Sequence, residues 1–160
     1  MIEKKITLNY TIFKGPSELS NSDKLLLSKA VEARKNAFAP YSNFNVGASL
    51  LLENGKIILG NNQENAAYPS GMCAERVAIW NAASHYPKIK IKKIFISASS
   101  SLKKVDQPVS PCGACRQTMV EYEINQSDKI EIYFTGETGK IIKCNSITDL
   151  LPLVFESSLL

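Results

Sequence analysis

Three cysteines in two separate motifs constrain the fold of this chain more than any other feature. Cys73 stands two residues before Glu75, and Cys112 and Cys115 form a Cys-x-x-Cys pair further along the chain. That short spacing lets two thiolates bind one metal ion, and Cys73 can supply a third. Three such ligands suit a zinc ion whose fourth tetrahedral position stays open for water or substrate. The fold must then bring both motifs to one point, with Glu75 beside the metal but not required as a ligand.

Both motifs are predicted at helix N-termini. An apolar stretch from about residue 73 to 83 predicts one helix, and a second helix is predicted to begin near Pro111 or Cys112. Exposed backbone N–H groups and the helix dipole at such positions favour thiolate over thiol. The placement therefore favours metal binding by the three cysteines.

Other uses of the cysteines stay open at this point. A Cys-x-x-Cys pair alone also fits a redox motif or half of a structural zinc site, and a fourth cysteine, Cys144, could complete a closed site of four thiolates. Cys144 ends a short strand pattern with no cysteine nearby, so we interpret it as a free, buried thiol. The single histidine, His85, excludes a His-rich metal centre and is interpreted as a surface or cap residue near a helix end.

Length and charge limit the classes of protein to consider. The 160 residues are enough for one compact domain with a substantial core and too few for two. No apolar run resembles a signal-peptide core or could span a bilayer, and unpaired thiols suit a reducing compartment, so we expect a cytoplasmic protein. The net charge is +4, with lysines clustered in residues 88–93 and 103–104. Because no aromatic residues interleave them, a solvated face is favoured over a nucleic-acid surface.

The N-terminal half contains patterns for a strand, a helix and a hairpin. Alternating polar and apolar residues predict a strand over residues 6–12, ended by Gly15-Pro16. A helix is predicted from about residue 22 to 38, stopped by Pro40. Its buried face would consist of Leu26, Ala30, Ala33 and Ala37. Residues 46–53 and 56–60 are predicted to form a β-hairpin, because Asn54-Gly55 between them favours a type I′ turn.

The C-terminal half adds three strand patterns. Residues 94–98 form an apolar run typical of a buried strand. Residues 130–135 and 140–144 predict two more strands, and their four-residue connection is too short for a crossover helix, so they should be antiparallel neighbours. A short helical or turn segment is predicted over residues 150–155. The expected fold is α/β: a three-layer α/β/α sandwich around a mixed sheet of about five strands, with both metal-binding helices beginning at one edge.

Several further motifs accompany the cysteines. They occupy residues 39–48 (Ala-Pro-Tyr-Ser-Asn-Phe-Asn-Val-Gly-Ala), 62–68 (Asn-Gln-Glu-Asn-Ala-Ala-Tyr), 73–76 (Cys-Ala-Glu-Arg), 111–117 (Pro-Cys-Gly-Ala-Cys-Arg-Gln) and 150–152 (Leu-Leu-Pro). Together they closely resemble the cytidine deaminase family, in particular its small, homotetrameric, zinc-dependent members with three cysteine ligands. The resemblance runs from roughly residue 25 to 155.

The resemblance implies a reaction. This is zinc-dependent hydrolytic deamination of cytidine and deoxycytidine to uridine and deoxyuridine with release of ammonia, a step of pyrimidine salvage. Glu75 would move protons between the attacking water, N3 of the base and the leaving amine. Three thiolates bring excess negative charge to a zinc site, and Arg76 could offset it by donating to the sulfurs. A helix-surface arginine is the alternative interpretation of Arg76.

The resemblance also implies the substrate contacts. Asn62 and Glu64 would hydrogen-bond the ribose hydroxyls, Phe44 would pack beside the pyrimidine, and Ala74 would offer backbone contacts to the base. Without the surrounding motifs, Phe44 would be interpreted as a core residue and Asn62 as a turn residue.

Part of the pocket is implied to come from a neighbouring subunit. Tyr68 and Phe155 would lie where a second copy in a homotetramer completes the pocket, although Phe155 alone would be interpreted as core. We predict a single domain over residues 1–160, in which residues 1–20 extend beyond the small family members and form an added edge strand or a subunit contact. Residues 69–72 match no single family pattern, so the fine substrate preference is not predicted.

Three other functions share parts of this pattern. Deaminases of bases in polynucleotides use the same zinc chemistry, but the predicted antiparallel terminal hairpin and the lack of a basic, aromatic-rich segment argue against them. A deaminase of nucleoside antibiotics would share the cysteine ligands and the general size. A structural zinc module that binds nucleic acid or a protein partner would use Cys144 as a fourth ligand and would give Glu75 no role.

Overall fold

The chain folds around one mixed β-sheet. The computed structural model describes residues 1–156, and residues 157–160 lie outside this description. The strands are β1 (Tyr10–Phe13), β2 (Phe44–Leu52), β3 (Ile57–Asn61), β4 (Ile91–Ser100), β5 (Glu131–Thr135) and β6 (Ile141–Cys144). The α-helices are α1 (Asn21–Arg34), α2 (Ala74–His85) and α3 (Gly113–Gln126). Short 3₁₀ helices cover Pro16–Glu18, Tyr68–Ser70 and Ile147–Leu150.

The sheet has six strands in the order β1-β6-β5-β4-β2-β3. β4 and β5 run parallel, and the other neighbouring pairs are antiparallel. The predicted antiparallel pairing of residues 130–135 with 140–144 is confirmed by β5 and β6. The expected strand number of about five was too low, because the N-terminal segment joins the sheet as its edge strand β1.

β1 is shorter than the strand predicted over residues 6–12. It covers Tyr10–Phe13 and pairs antiparallel with β6, whose last residue, Cys144, lies opposite Tyr10. Because β6 ends there, it offers no backbone partners to the residues before Tyr10. The alternating pattern extends further than the pairing, since a strand needs a neighbour of equal length to complete its hydrogen bonds.

Helices cover both faces of the sheet, which confirms the predicted three-layer α/β/α sandwich. α1 packs on one face, and α2 and α3 pack on the other. The alternation is visible in β4, where Ile94 and Ile96 belong to the core beneath α2 and α3 while Phe95 belongs to the core beneath α1. All three are at most 2% exposed. Burial on both faces explains the continuous apolar run in this part of the sequence.

α1 ends earlier than the helix predicted over residues 22–38. It begins after Ser20, whose Oγ accepts a hydrogen bond from the backbone N–H of Asp23 at 3.2 Å, and it ends at Arg34. Phe38 has left the helix to pair with the loop after β3: its N–H donates to Asn62 O at 2.9 Å. The chain therefore straightens at the point where it meets that loop, and Ala37, predicted on the buried helix face, is only half-buried.

The β2–β3 hairpin is confirmed, but its predicted type I′ turn is wrong. A type I′ turn needs positive φ at both central residues. Gly55 has φ 81°, whereas Asn54 is not among the residues with positive φ. The N–H of Gly55 donates to Leu52 O at 2.9 Å, and the N–H of Leu52 donates to Lys56 O at 2.9 Å. The connection is therefore a three-residue loop with a left-handed glycine at its end.

The clustered lysines beside β4 form ion pairs. Each of three lysines has a carboxylate from another part of the chain within 2.8–3.2 Å: Lys90 with Asp128, Lys92 with Glu53, and Lys93 with Asp23. The pairs of Lys90 and Lys92 are exposed and contribute about 0–1 kcal/mol each, whereas the pair of Lys93 with Asp23 is mostly buried. Within residues 1–156, no helix combines the length and the apolar character needed to cross a bilayer.

Gly60 allows the backbone of α2 to pack directly against the backbone of β3. A Cβ added to Gly60 would lie 2.4 Å from Ala74 O and 2.5 Å from Ala78 N. The first turn of α2 is thereby fixed against the end of β3, which positions the residues around Cys73.

α2 ends at His85, an exposed residue whose Nδ1 lies 3.0 Å from Asn81 O, so its predicted place near a helix end is confirmed.

A buried glutamate organises the region after β6. Glu123 on α3 is 6% exposed. Its carboxylate accepts hydrogen bonds of 2.5–3.2 Å from four groups: the backbone N–H groups of Ile130, Ile147 and Thr148, and the hydroxyl of Ser146. Two of these N–H groups belong to the 3₁₀ helix Ile147–Leu150. Helical structure therefore covers residues 147–150, and the helical or turn segment predicted over residues 150–155 begins with Leu150 of this helix and continues as a bend over residues 151–153.

Glu123→Ala is expected to lower the free energy of unfolding by about 3 kcal/mol, because several buried donors lose their acceptor at once. Urea denaturation followed by circular dichroism measures the loss. Glu121→Ala is the matched control, since the carboxylate of Glu121 lies on the same helix and accepts a hydrogen bond from Asn125 one turn further along. Equal stabilities of the two variants would contradict the prediction.

Candidate active site

The three motif cysteines meet where α2 and α3 begin. Cys73 is the residue that precedes α2, and Cys112 is the residue that precedes α3. Cys115 follows in the first turn of α3 and is buried. The Sγ atoms of Cys73 and Cys112 are 3.9 Å apart, and the three sulfurs all lie within 4.8 Å of one another. The predicted convergence of both motifs at helix N-termini is confirmed.

The spacing of the sulfurs fits a tetrahedral zinc site. Zinc–thiolate bonds of about 2.3 Å place two sulfurs of a tetrahedron about 3.8 Å apart. The separation of 3.9 Å between Cys73 and Cys112 agrees with this value. Within residues 1–156, the group of potential metal ligands consists of the three motif cysteines and does not include Cys144. Cys144 is instead a free thiol, 1% exposed, on β6.

Contacts among the cysteines and Arg76 shift the pKa values of the thiols. Hydrogen bonding from Cys115, followed by the contact with Arg76, lowers the pKa of the Cys73 thiol to about 5. The same contact with Cys73 raises the pKa of Cys115. Nη2 of Arg76 donates to Cys73 Sγ at 3.4 Å, and its guanidinium lies 5.9 Å from the ring centre of Trp80. Arg76 therefore lies beside a sulfur of the cysteine cluster, where it was predicted.

Glu75 is buried in the first turn of α2. It is 4% exposed, and burial raises its pKa to about 7. The negative charge of Cys73 adds to this rise. A carboxyl group whose pKa lies near neutral pH can both accept and release a proton in one reaction cycle. Glu75 therefore has the environment of an acid/base residue, and it stands next to the sulfur cluster.

A cleft of about 590 Å³ opens above the cysteines. Its walls combine residues from β2, from the loop after β3, from the start of α2 and from the loop before α3. Six of the residues predicted to contact substrate or to act on it line this cleft: Phe44, Asn62, Glu64, Tyr68, Ala74 and Glu75. Its volume and its mixture of apolar walls with a few polar groups suit a small molecule.

Asn62 and Glu64 are both anchored to the chain around β2. Oδ1 of Asn62 accepts from the N–H of Val46 at 2.8 Å, and its Nδ2 donates to Phe44 O at 2.9 Å. Oε2 of Glu64 accepts from the N–H groups of Tyr41 and Ser42 at 3.0 and 3.2 Å. Asn62 thus has a structural role at the start of β2, but one N–H of its amide and one acceptor position are unused by these bonds.

Comparison with known proteins places this arrangement in a family. The family model for the cytidine and deoxycytidylate deaminase zinc-binding region matches residues 20–127. The chain belongs to this deaminase family. It is 38% identical over 132 residues to the cytidine deaminase of Halalkalibacterium halodurans, covering 82% of this chain and 92% of that protein. It is likewise 38% identical over 130 residues to the cytidine deaminase of Sporosarcina psychrophila, covering 81% of this chain and 88% of that protein.

A solved structure of the deaminase family shares the fold. The crystal structure of cytidine deaminase from Burkholderia pseudomallei superposes with a TM-score of 0.72 at 36% sequence identity. The match covers 86% of this chain and 100% of that chain. The mixed sheet with helices on both faces is therefore the deaminase fold.

Two residues predicted at a subunit boundary of this deaminase differ in their positions. Tyr68 lines the mouth of the cleft, is 77% exposed and contacts Tyr41 edge to face, with ring centres 6.4 Å apart. Phe155 is 60% exposed and is not among the residues that line the cleft. Its carbonyl accepts a hydrogen bond from Nε2 of Gln117 at 2.9 Å. The interpretation of Phe155 as a core residue is wrong, because its ring is exposed.

Arg116 has a structural role that the sequence pattern did not predict. Its Nε donates to Pro111 O at 2.9 Å, its Nη2 to Ser110 Oγ at 3.1 Å and its Nη1 to Leu150 O at 2.9 Å. These bonds hold the loop that carries Cys112. The signal was present, since an arginine with a planar set of donors directly follows Cys115, but its acceptors lie on a loop whose position only the fold reveals.

Proposed function

We propose that this chain is a cytidine deaminase that hydrolyses cytidine and deoxycytidine to uridine and deoxyuridine with release of ammonia. The observation that carries the proposal is the meeting of three cysteine sulfurs with a buried carboxyl group, Glu75, at the base of a cleft of about 590 Å³. This combination is the one that zinc-dependent base deamination requires. A cytoplasmic role in pyrimidine salvage is part of the same proposal.

Cys73, Cys112 and Cys115 would hold the metal as thiolates. The sulfur spacing supports zinc, and the bare N–H groups at the start of α2 and α3 stabilise the negative charge of the sulfurs. Zinc, when bound, supplies Lewis-acid activation of the attacking water. A metal held by these sulfurs would be accessible from the cleft, because Cys73 and Cys112 both line it.

Glu75 would carry out the proton transfers. Its carboxylate takes a proton from the attacking water and delivers it to N3 of cytosine, which makes C4 electrophilic. Water oxygen bonds to C4, and Glu75 passes the remaining water proton to the amino group. The C–N bond then breaks, ammonia leaves, and the uracil ring remains. The pKa of about 7 that burial confers on Glu75 suits a group that must accept and release protons in turn.

The cleft walls would position the nucleoside. Phe44 supports an apolar contact with the pyrimidine, and the backbone of Ala74 at the start of α2 would contact the base. The unused hydrogen-bonding positions of Asn62 and Glu64 would bind the ribose hydroxyls. A match to the hydroxyls of a free sugar favours a nucleoside over a base within a polynucleotide.

A homotetramer is proposed for the assembled enzyme. Tyr68 and Phe155 are large aromatic residues with exposed side chains, Tyr68 at the cleft mouth and Phe155 beside α3. Exposed aromatic groups near a pocket are typical of surfaces that become buried on assembly. Light scattering coupled to size exclusion would give the mass in solution, and a monomer at micromolar concentration would remove this part of the proposal.

Arg76→Ala is expected to lower zinc affinity or turnover by about 10- to 100-fold, the usual effect of losing a group that donates to a metal ligand. The reason is the 3.4 Å contact from Arg76 to Cys73, which offsets the charge of the sulfur cluster. Competition with a chelator measures affinity, and steady-state kinetics measures turnover. Arg34→Ala is the control arginine on the opposite face of the sheet, where its Nη1 donates to Ser97. Unchanged zinc retention and turnover in Arg76→Ala would contradict the prediction.

The test of the proposed function is a direct assay. Purified protein loaded with zinc is mixed with cytidine, and the formation of uridine and ammonia is followed by chromatography and a coupled ammonia assay. Turnover that depends on zinc supports the proposal. A folded, zinc-loaded protein without turnover would contradict it, and a panel of other aminated nucleosides, including nucleoside antibiotics, would then be assayed.

A further inference from the structure

One exposed hydroxyl connects two walls of the cleft. Ser42 lies in the turn before β2, and its Oγ donates a hydrogen bond to Oε1 of Glu64. The same Oγ accepts a hydrogen bond from the N–H of Phe44 at 3.0 Å. Ser42, Phe44 and Glu64 all line the cleft. A single side chain therefore joins the wall that would hold the base to the group that would hold the sugar.

The bonds to Glu64 leave little freedom in its carboxylate. Oε2 accepts from two backbone N–H groups, those of Tyr41 and Ser42, and Oε1 accepts from the Ser42 hydroxyl. A carboxylate offers about four acceptor positions, so about one position remains, on Oε1. Ser42 is the side-chain donor in this set, and it bonds Oε1, the oxygen that keeps the remaining acceptor position. Its hydrogen bond is also the largest cause of the lowered pKa of Glu64.

The turn that carries Ser42 is itself held in place. Asn43 has a left-handed backbone with φ 55°, and its N–H donates to Ala39 O at 3.0 Å. Its carbonyl accepts from the N–H of Ser101, beyond the end of β4, at 3.2 Å. These hydrogen bonds hold the backbone beside Ser42 in place. The Ser42 hydroxyl therefore holds the Glu64 carboxylate in a fixed position.

We infer that Ser42 is a positioning residue for sugar recognition: its hydroxyl fixes the free acceptor position of Glu64 toward a sugar hydroxyl of the substrate and couples that position to Phe44. The inference rests on the proposed function. It assigns Ser42 no part in the proton transfers, because Ser42 acts through Glu64 and the turn. Loss of the Ser42 hydroxyl should therefore weaken the binding of substrates that carry the sugar hydroxyls and leave the binding of other substrates unchanged.

The test is a double-mutant cycle on the zinc-loaded enzyme. Ser42→Ala is expected to raise KM for cytidine about ten-fold while kcat changes less than about two-fold, because a binding interaction is lost and the chemistry is not. In a Glu64→Ala background, Ser42→Ala should add less than about two-fold. With 2′,3′-dideoxycytidine as substrate, Ser42→Ala should have an equally small effect. Ser42→Thr keeps a hydroxyl and should restore most of the affinity for cytidine.

Ser101→Ala is the matched control. Its hydroxyl contacts Oδ1 of Asn43 at 3.4 Å on the same turn, so its loss reports general damage to the turn. A ten-fold KM effect in Ser101→Ala, or additive effects of Ser42→Ala and Glu64→Ala, would overturn the inference. Carbon-13 NMR of the Glu64 carboxyl, without substrate, gives a second readout: Ser42→Ala should raise its pKa, and an unchanged pKa would also overturn the inference.

The two levels of the proposal can fail separately. Wild-type protein that turns over cytidine while Ser42→Ala behaves like wild type would overturn the role of Ser42 and leave the proposed function intact. Wild-type protein that is zinc-loaded but inactive on cytidine would overturn the proposed function and, with it, a role of Ser42 in recognising this substrate.

Discussion

Glu75→Gln is expected to lower kcat/KM for cytidine by about 10⁴-fold while the protein keeps its zinc and its fold. Glutamine has nearly the same shape, but it cannot take a proton from water or deliver one to N3 of the base. Glu75 is 4% exposed, so little bulk water reaches its side chain to replace it in these transfers. The measurement combines steady-state kinetics, zinc content by mass spectrometry and thermal unfolding on the same preparation.

The control for this variant is Glu32→Gln. Glu32 lies on α1, on the far side of the sheet, where its carboxylate forms an exposed ion pair with Lys29 at 2.7 Å. Loss of this ion pair should leave kcat/KM within about two-fold of the wild-type value. Exposed pairs contribute about 0–1 kcal/mol to stability, and this pair lies away from the cleft. Substantial turnover by a clean preparation of Glu75→Gln would refute the assignment of Glu75 as the acid/base residue.

Cys112→Ser is expected to abolish stable zinc binding and, with it, nearly all turnover. Zinc sites with three thiolates lose both charge and a soft ligand when one sulfur becomes a hydroxyl. Cys144→Ala is the matched control, because Cys144 is a buried thiol outside the group of three sulfurs. Its variant should bind about one zinc per chain and keep its activity, at a modest cost in stability for a small core truncation.

This pair of variants also separates an enzyme from a structural zinc module. A closed site of four thiolates would need Cys144, which the structure places on β6 and outside the sulfur cluster. Zinc content by mass spectrometry after dialysis against a weak chelator gives the readout. Loss of zinc from Cys144→Ala would show that the fourth cysteine is a ligand and would remove the open position that catalysis needs.

The sequence was most informative where a residue type and its position have one physical explanation. Cysteines at the start of two apolar stretches predicted thiolates at helix N-termini, and Cys73 and Cys112 are found there. The four-residue connection between β5 and β6 predicted antiparallel strands, because no crossover fits in it. Both predictions depend on local geometry, which a sequence records directly.

The errors in the predictions came from contacts between distant segments. α1 ends early because Phe38 pairs with Asn62, and β1 is short because β6 ends at Cys144. Neither partner can be read from the local pattern. The same holds for Glu123, whose four donors come from other segments, and for Ser42, whose bond to Glu64 joins residues of two loops. Motifs identify which residues matter, but their partners depend on the fold.

The residues that precede α2 and α3 affect the folding stability of this protein. Serine, threonine or aspartate at that position would accept a hydrogen bond from the helix and contribute about 1 kcal/mol. Cys73 and Cys112 make no such side-chain bond. The first turn of each helix therefore receives no capping hydrogen bond from these side chains. A metal ion bound by both cysteines would link the N-termini of α2 and α3. Its binding free energy would then count toward folding, so zinc supply would govern the melting temperature and cellular lifetime of the enzyme as well as its rate.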